Sequence, residues 1–272
     1  INDGVSGLFI LGTTGEGNLM TVVERKEAAE AFIDATRKRI PVFVHIGHAS
    51  LYEAQNLAKH AAEAGADAIA ALPPYYHRPE TIEAIVECLE VLSSAANGVP
   101  MLYYHYPAMS GVHLDPFEIL KAVAIRVPAL AGIKFSQNDV AMLAACCSIS
   151  IRHLDAFWGV DESLLAAIVA GATGGIGSSY NYASKLYQPI LRFAAERENR
   201  LIEEAQIAQE RSRKMLSVIN KNGGIAAHKA VMSALGIDCG PTRLPLNNLT
   251  KNQHALLIKQ LEDMGFFNWI AK

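Results

Sequence analysis

The chain has 272 residues, of which 51% are hydrophobic, and its formal net charge is −3 at pH 7. This length suits one large α/β domain, and the apolar content is sufficient for a sizeable core. Charges of both signs are spread along the chain without a basic run, so nucleic acid is not expected as a partner. No apolar stretch is long enough to span a bilayer, and no signal peptide is expected at the start.

The four cysteines show no CxxC spacing, and two of them, Cys146 and Cys147, are adjacent. Disulfide frameworks are typical of much smaller secreted domains, so we interpret all four residues as free thiols in a reducing compartment. The sequence therefore predicts a cytoplasmic protein.

Seven short apolar runs have the composition of strands that are buried on both faces. They are Gly7–Leu11, Val42–His45, Ala68–Leu72, Met101–Tyr104, Leu130–Lys134, Leu154–Trp158 and Gly174–Gly177. Helical patterns separate them, at Val22–Arg39, Leu51–Ala64, Ile82–Ala96, Pro116–Val127, Asp139–Cys147 and Glu162–Val169. The spacing of Thr21 with Glu24, and of Ser50 with Glu53, predicts two capping boxes. Alternating strands and helices predict a parallel sheet with helical crossovers.

A closed (β/α)8 barrel needs eight strands, and this sequence has seven. Residues 1–4 have the character of a helix exit that leads directly into a strand. We therefore expect a TIM (β/α)8 barrel that lacks its first strand and most of its first helix. After Gly177 only helical patterns follow, which predicts a barrel over residues 1–197 and a C-terminal helical extension, packed on it, over 198–272. The last patterns are Lys185–Arg197, Arg200–Asn220, Gly224–Leu235 and Lys251–Met264.

Catalytic groups of such barrels come from the carboxyl ends of strands and from the loops that follow. The first of these loops is GTTGEG, residues 12–17. Its backbone N–H groups and the hydroxyls of Thr13 and Thr14 can converge on an anion such as a carboxylate. The alternative is a glycine-rich turn that only leads into a helix.

Tyr104 and Lys134 end consecutive strands, so both should face the same mouth of the barrel. Burying an amine is costly without a function, and desolvation favours the neutral form that attacks a ketone. A phenol with an ordinary pKa of about 10 can shuttle protons when it has a partner. The alternatives are a lysine that reaches solvent and an aromatic residue of the core.

Adjacent carboxylates, Asp161 and Glu162, follow the sixth strand, and Ser178 follows the seventh. They can bind the hydroxyls of a polyol substrate. Alternatively, Asp161 is a plain helix N-cap and Glu162 interacts with the helix dipole. Among the histidines, His45 and His48 come closest to a metal-ligand spacing but have no matching carboxylate. We expect neither a metal nor another cofactor, because nucleotide-binding motifs are also missing.

A set of motifs extends essentially from end to end of the chain: GTTGEG, YHYPAMSGV, GIKFS, FWGVDE, GATGGIGSSYN and GPTRLPL. In this order and spacing they resemble the dihydrodipicolinate synthase/N-acetylneuraminate lyase family. The resemblance implies a class I aldolase in which Lys134 forms a Schiff base with a pyruvate moiety and Tyr104 is the general acid/base. It also implies a homotetramer, because Tyr75–Tyr76 matches a region where a neighbouring subunit can contribute a tyrosine.

The resemblance implies further substrate-binding roles. Thr13 and Thr14 would bind the pyruvate carboxylate, with Thr14 also touching the Tyr104 hydroxyl, and Ser136 would lie near the reacting hydroxyl. The hydroxyl tail of the substrate would be held by Gly159, Asp161, Glu162 and Ser178.

The choice of substrate within the family rests on two features. Dihydrodipicolinate synthases carry an arginine soon after the motif tyrosine, and residues 107–111 contain none. The pair Asp161–Glu162 suits a polyol better than an anion. Both favour cleavage of N-acetylneuraminate, a sialic acid, to pyruvate and N-acetylmannosamine. The alternatives are another pyruvate-dependent aldolase, acting on a 2-keto-3-deoxy sugar acid or like dihydrodipicolinate synthase, and a non-catalytic ligand-binding relative.

Overall fold

The computed structural model describes residues 1–271, and all seven predicted strands are present in it. The strands form one parallel sheet in chain order, each paired with the next. They are β1 (Leu8–Ile10), β2 (Val42–His45), β3 (Ala68–Ala71), β4 (Met101–His105), β5 (Leu130–Phe135), β6 (Asp155–Trp158) and β7 (Gly174–Gly175). This is the strand order of a TIM-barrel-like α/β fold, in which each strand follows a helical crossover.

The helices follow the predicted ones closely, with three differences. They are α1 (Val22–Thr36), α2 (Leu51–Glu63), α3 (Ile82–Ala95), α4 (Pro107–Ser110), α5 (Pro116–Arg126), α6 (Val140–Cys147), α7 (Leu164–Val169), α8 (Tyr180–Glu196), α9 (Ile202–Lys221), α10 (Ile225–Ala234), α11 (Lys251–Asp263) and α12 (Phe266–Ile270). The sequence did not predict α4 and α12, which are too short to show a helical period. Helix α8 begins at Tyr180, five residues before the predicted start, and non-helical dihedrals at Ala183 interrupt its first turn.

The helix starts were marked correctly by their capping residues. Thr21 and Glu24 form the predicted capping box at α1, with side chain and backbone bonded in both directions. At α2 the Ser50 hydroxyl accepts a hydrogen bond from the Glu53 N–H, which is one half of such a box. These local hydrogen bonds satisfy backbone donors that have no partner inside the helix.

Side-chain contacts across the sheet show that it is strongly curved. The rings of Phe43 on β2 and Phe157 on β6 are 5.9 Å apart, although three strands separate them in the sheet. In a flat sheet this separation would be about 19 Å, four times the spacing of neighbouring strands. The concave face of β1–β6 therefore closes around its own side chains, as in a barrel.

The described chain divides into two compact units. The sheet unit comprises Ser6–Gly159 and Ala170–Ile176, and therefore all seven strands. The helical unit comprises Ile1–Val5, Val160–Val169 and the chain from Gly177 onward. The division at residue 197 that the sequence suggests stays a prediction. Within residues 1–271, no helix is both long and apolar enough to cross a membrane.

A glycine in β5 is required by the close approach of the neighbouring strand. A Cβ atom at Gly132 would lie 2.0 Å from the backbone oxygen of Asp155 on β6. We expect Gly132→Ala to lower the free energy of unfolding by about 2 kcal/mol or more, as overpacking does in a rigid core. In the control Gly174→Ala on β7, the new Cβ meets only the Phe157 ring at 3.6 Å. Urea denaturation should show a clear loss for the first variant and a change below about 1 kcal/mol for the second.

Candidate active site

A buried amine and a buried phenol lie side by side at the carboxyl end of the sheet. Tyr104 and Lys134 are paired residues of β4 and β5, and their exposed fractions are 2% and 6%. The Lys134 Nζ atom is 3.7 Å from the centroid of the Tyr104 ring and 5.2 Å from that of Phe9. The amine is thus held in an aromatic environment inside the sheet unit, where an ammonium charge loses most of its hydration.

Ser136 is a polar partner of this amine. The Lys134 Nζ donates a hydrogen bond of 3.0 Å to the Ser136 Oγ, and Ser136 is itself buried. A Cβ atom at Gly159 would lie 2.0 Å from the same Oγ, so only glycine leaves room for the serine there. Gly159 therefore has a steric role toward Ser136, whatever else it binds.

The Tyr104 hydroxyl faces hydroxyl groups from two directions. It shares a hydrogen bond of 3.4 Å with the Thr13 Oγ1. Burial raises the pKa of Tyr104, while hydrogen bonds with Thr13 and Ser136 act in the opposite, lowering direction. The net rise keeps Tyr104 protonated near neutral pH, so the isolated site presents it as a proton donor.

The GTTGEG turn after β1 is tight, and its backbone is strained. Leu11 and Glu16 both have positive φ angles, 62° and 55°. A Cβ atom at Gly17 would lie 2.0 Å from the Leu11 backbone oxygen, so only glycine fits there. Non-glycine residues in this conformation are costly and persist where the surroundings impose it, often at functional sites. Thr13 and Thr14 are half-buried in this turn.

Two residues of this cluster were missed by the sequence analysis. Phe9 packs edge-on against Tyr104 at 5.7 Å between ring centroids, and His45 does so at 5.6 Å. His45 was considered only as a metal ligand, and Phe9 only as part of a strand. His45 had a usable signal, since it is a polar residue at the end of a strand, as Tyr104 and Lys134 are.

His45 is almost fully buried, with an exposed fraction of 1%. Its Nδ1 lies 3.1 Å from the Leu11 backbone oxygen. Burial, the charge of Arg25 and the charge of Lys134 lower the pKa of His45 to about 3, opposed by the hydrogen bond to Leu11. The imidazole is therefore neutral at physiological pH.

The acidic residues that follow β6 lie in the helical unit. Asp161 is buried, and its Oδ2 accepts hydrogen bonds from the Ser179 N–H at 2.9 Å and from the Ser179 hydroxyl at 2.6 Å. A Cβ atom at Gly177 would lie 1.5 Å from the Asp161 Oδ1. This carboxylate thus holds the start of α8. The sequence predicted Asp161 as a substrate ligand or as the N-cap of its own helix, and did not predict this contact with Ser179.

Glu162 and Ser178 are more accessible, since both are half-buried. The Glu162 Oε1 accepts a hydrogen bond of 3.0 Å from the Asn220 side chain on α9.

Among residues 1–271, no group of three or more His, Cys, Asp or Glu side chains could hold a metal ion. The structure thus brings Thr13, Tyr104, Lys134, Ser136 and Gly159 together in the sheet unit.

The parallel sheet and the polar cluster at its strand ends define a TIM-barrel-like α/β protein with a strand-end lysine. A family model described as "Dihydrodipicolinate synthetase family" matches residues 1–264, and the chain belongs to this family.

Relatives within this family carry a more specific name. N-acetylneuraminate lyase of Homo sapiens is 35% identical over 270 residues, which cover 98% of this chain and 83% of the human one. The structure of Proteus mirabilis N-acetylneuraminate lyase has a TM-score of 0.92 at 30% identity, covering 97% of this chain and 88% of that one. A Ruminococcus gnavus sialic acid aldolase, solved as a catalytic lysine mutant, has a TM-score of 0.90 at 25% identity, covering 97% and 86%.

The buried neutral imidazole of His45 makes stability depend on pH. Its pKa is lower in the folded chain, about 3, than the ordinary 6.5. Between these values the unfolded chain binds a proton that the folded chain does not, so stability falls as the pH falls from 6.5 toward 3. The slope from this group approaches about 1.4 kcal/mol per pH unit.

We expect His45→Asn to remove this contribution, so that the free energy of unfolding depends less steeply on pH between 6.5 and 4.5. Urea denaturation at several pH values measures the slope. The control His113→Asn removes an exposed imidazole and should keep the slope of the unmodified chain. Identical slopes for His45→Asn and the unmodified chain would contradict the assignment.

Proposed function

We propose that this protein is a class I, Schiff-base aldolase, a carbon–carbon lyase that cleaves N-acetylneuraminate to pyruvate and N-acetylmannosamine. The observation that carries the proposal is the buried amine of Lys134, stacked over the Tyr104 ring and bonded to Ser136. A non-catalytic binding protein has no need for such an amine. The names of the relatives in Homo sapiens and Proteus mirabilis support the substrate.

Lys134 is the nucleophile in this proposal. Its neutral amine attacks the keto carbon of the open-chain substrate, and water leaves as the iminium forms. The iminium then accepts the electron pair of the carbon–carbon bond that breaks, which converts it to an enamine. Because the protein itself supplies this electron sink, the reaction as proposed uses no cofactor. A catalytic lysine also appears in the name of the Ruminococcus gnavus relative.

Tyr104 is the proton carrier of the reaction. Its raised pKa keeps the phenol protonated near neutral pH, so it cannot take the proton of the substrate hydroxyl alone. We assign the first acceptance of that proton to the carboxylate of the bound substrate. Tyr104 then passes the proton to the enamine carbon, which restores the iminium, and water hydrolyses the iminium to release pyruvate and the Lys134 amine. Thr13 and Thr14 hold this carboxylate, and the bond between Thr13 and Tyr104 supports a short proton path.

The remaining groups bind the substrate beyond the reacting bond. Ser136 lies near the reacting hydroxyl, and the hydroxyl tail is held by Gly159, Asp161, Glu162 and Ser178. Glu162 and Ser178 are accessible enough for direct contacts, whereas the bonded carboxylate of Asp161 suits a supporting role through Ser179. Carboxylate oxygens and a serine hydroxyl can accept hydrogen bonds from the hydroxyls of a polyol tail.

The proposal includes the finer architecture and the setting of the enzyme. Strands β1–β7 correspond to strands 2–8 of a (β/α)8 barrel, and residues 198–272 form a C-terminal helical extension packed on it. The assembly is a homotetramer with Tyr75–Tyr76 near a neighbouring subunit. The enzyme acts in the cytoplasm, which the four free cysteines of the described chain support.

Borohydride reduction in the presence of pyruvate tests the nucleophile. The unmodified chain should gain the mass of a reduced pyruvate adduct, and Lys134→Ala should not, because Lys134 is the only lysine of residues 1–271 that is buried. The control Lys121→Ala removes a half-buried lysine of α5 whose side chain is 40% exposed, and it should keep the adduct. Undiminished trapping in Lys134→Ala would assign the imine to a different amine.

Tyr104→Phe separates imine formation from carbon–carbon cleavage. The variant keeps the ring beside Lys134 but loses the hydroxyl, so pyruvate trapping should persist while kcat falls about 10²- to 10⁴-fold. In the control Tyr103→Phe, the hydroxyl that is lost contacts His105 instead, and kcat should stay close to that of the unmodified enzyme. A lyase assay with N-acetylneuraminate gives both values. Faster cleavage of other 2-keto-3-deoxy sugar acids than of N-acetylneuraminate would overturn the substrate assignment.

A further inference from the structure

His45 connects two parts of the proposed site that are distant in sequence. It ends β2, between the strand that leads into the GTTGEG turn and the strands that carry the reacting groups. Its ring stands at 89° to the Tyr104 ring, 5.6 Å away, and lies 6.3 Å from the Phe9 ring. One imidazole therefore packs against the phenol and against the residue that faces the Lys134 amine.

The same imidazole bonds to the backbone that begins the threonine turn. The Leu11 carbonyl only accepts hydrogen bonds, so the Nδ1 at 3.1 Å from it carries the proton. Leu11 has a φ angle of 62°, which is unfavourable for a residue with a branched side chain. A hydrogen bond to the carbonyl of this residue stabilises the strained conformation directly before Gly12, Thr13 and Thr14.

His45 itself is held in one orientation. The buried guanidinium of Arg25 donates hydrogen bonds of 2.6 Å to the His45 carbonyl and 2.9 Å to the Gly47 carbonyl. A Cβ atom at Gly47 would lie 2.8 Å from the His45 Nε2, so a glycine is needed for the ring to fit. The end of β2 is thus shaped around this side chain.

We propose that His45 is a positioning residue for the aldolase site, whose Nδ1–H sets the threonine turn through the Leu11 carbonyl and whose ring sets the Tyr104 phenol. The inference rests on the proposed function, because it assigns carboxylate binding to the turn and proton transfer to the phenol. Its two contacts predict two separable effects: the Nδ1–H acts on binding of the pyruvate carboxylate, and the ring acts on cleavage.

Two variants of His45 separate these effects. His45→Phe keeps a flat ring against Tyr104 but has no donor for Leu11, so the pyruvate concentration for half-maximal borohydride trapping should rise about tenfold, as loss of one hydrogen bond does. His45→Asn keeps an N–H donor close to the Nδ1 position but has no ring. It should trap pyruvate at nearly the normal concentration, while its kcat for N-acetylneuraminate falls about tenfold or more.

A third variant and a double variant test the route through the turn. His45→Gln places its amide beyond the Nδ1 position and should behave as His45→Phe does in trapping, which covers the case that the phenylalanine variant does not fold. If His45 acts through Thr13, His45→Gln should raise the half-saturating pyruvate concentration far less in the Thr13→Ala variant than in the unmodified chain.

The outcomes distinguish this inference from the proposed function. One result would overturn the positioning role and leave the proposed function intact. In it the unmodified chain traps pyruvate, and all three His45 variants have equal half-saturating pyruvate concentrations. Equal losses in trapping and kcat in His45→Phe and His45→Asn would also overturn it, since a merely structural residue gives that pattern. No pyruvate trapping by the unmodified chain would reject the proposed function and the inference with it.

Discussion

The site depends on one constraint, which is that the Lys134 amine is enclosed by aromatic rings and donates a hydrogen bond to a buried hydroxyl. The Tyr104 ring lies 3.7 Å from the Nζ, and the Ser136 hydroxyl lies 3.0 Å from it. Such surroundings remove water from the amine, since the Lys134 side chain is buried among these groups. An amine in this setting is well suited to react as a nucleophile, because desolvation disfavours its charged form.

The curvature of the sheet creates that enclosure. Tyr104 on β4 and Lys134 on β5 are neighbours in the sheet, whereas Phe9 on β1 meets them only because the concave face brings distant strands together. The close approach is maintained by residues without side chains. Gly132 lets β6 approach β5, and Gly159 leaves space for the Ser136 hydroxyl. The side chains of the proposed site are therefore placed by strands and glycines, which are more rigid than long loops.

Prediction from the sequence worked where the physical signal is local. Apolar runs identified all seven strands, and the Thr21 capping box identified the start of α1, because both depend on neighbouring residues alone. Strand-end positions also predicted that Tyr104 and Lys134 lie side by side, and they are paired on β4 and β5. The start of α8 was missed because Ser179, directly before it, is hydrogen-bonded to Asp161, which lies 18 residues earlier. No local sequence pattern indicates that hydrogen bond.

The sequence by itself determined the class of fold, the order of the strands and the residue types at their carboxyl ends. These follow from hydrophobic periodicity and from the alternation of strands and helices, which require no knowledge of distant contacts. Only the tertiary structure decided that Ser136 is the partner of the amine, that Asp161 supports α8 and that His45 packs between the turn and the phenol. Most of these contacts join residues that are distant in sequence, and the contact between Lys134 and Ser136 depends on side-chain orientations that packing sets. None of them can be read from a local sequence pattern.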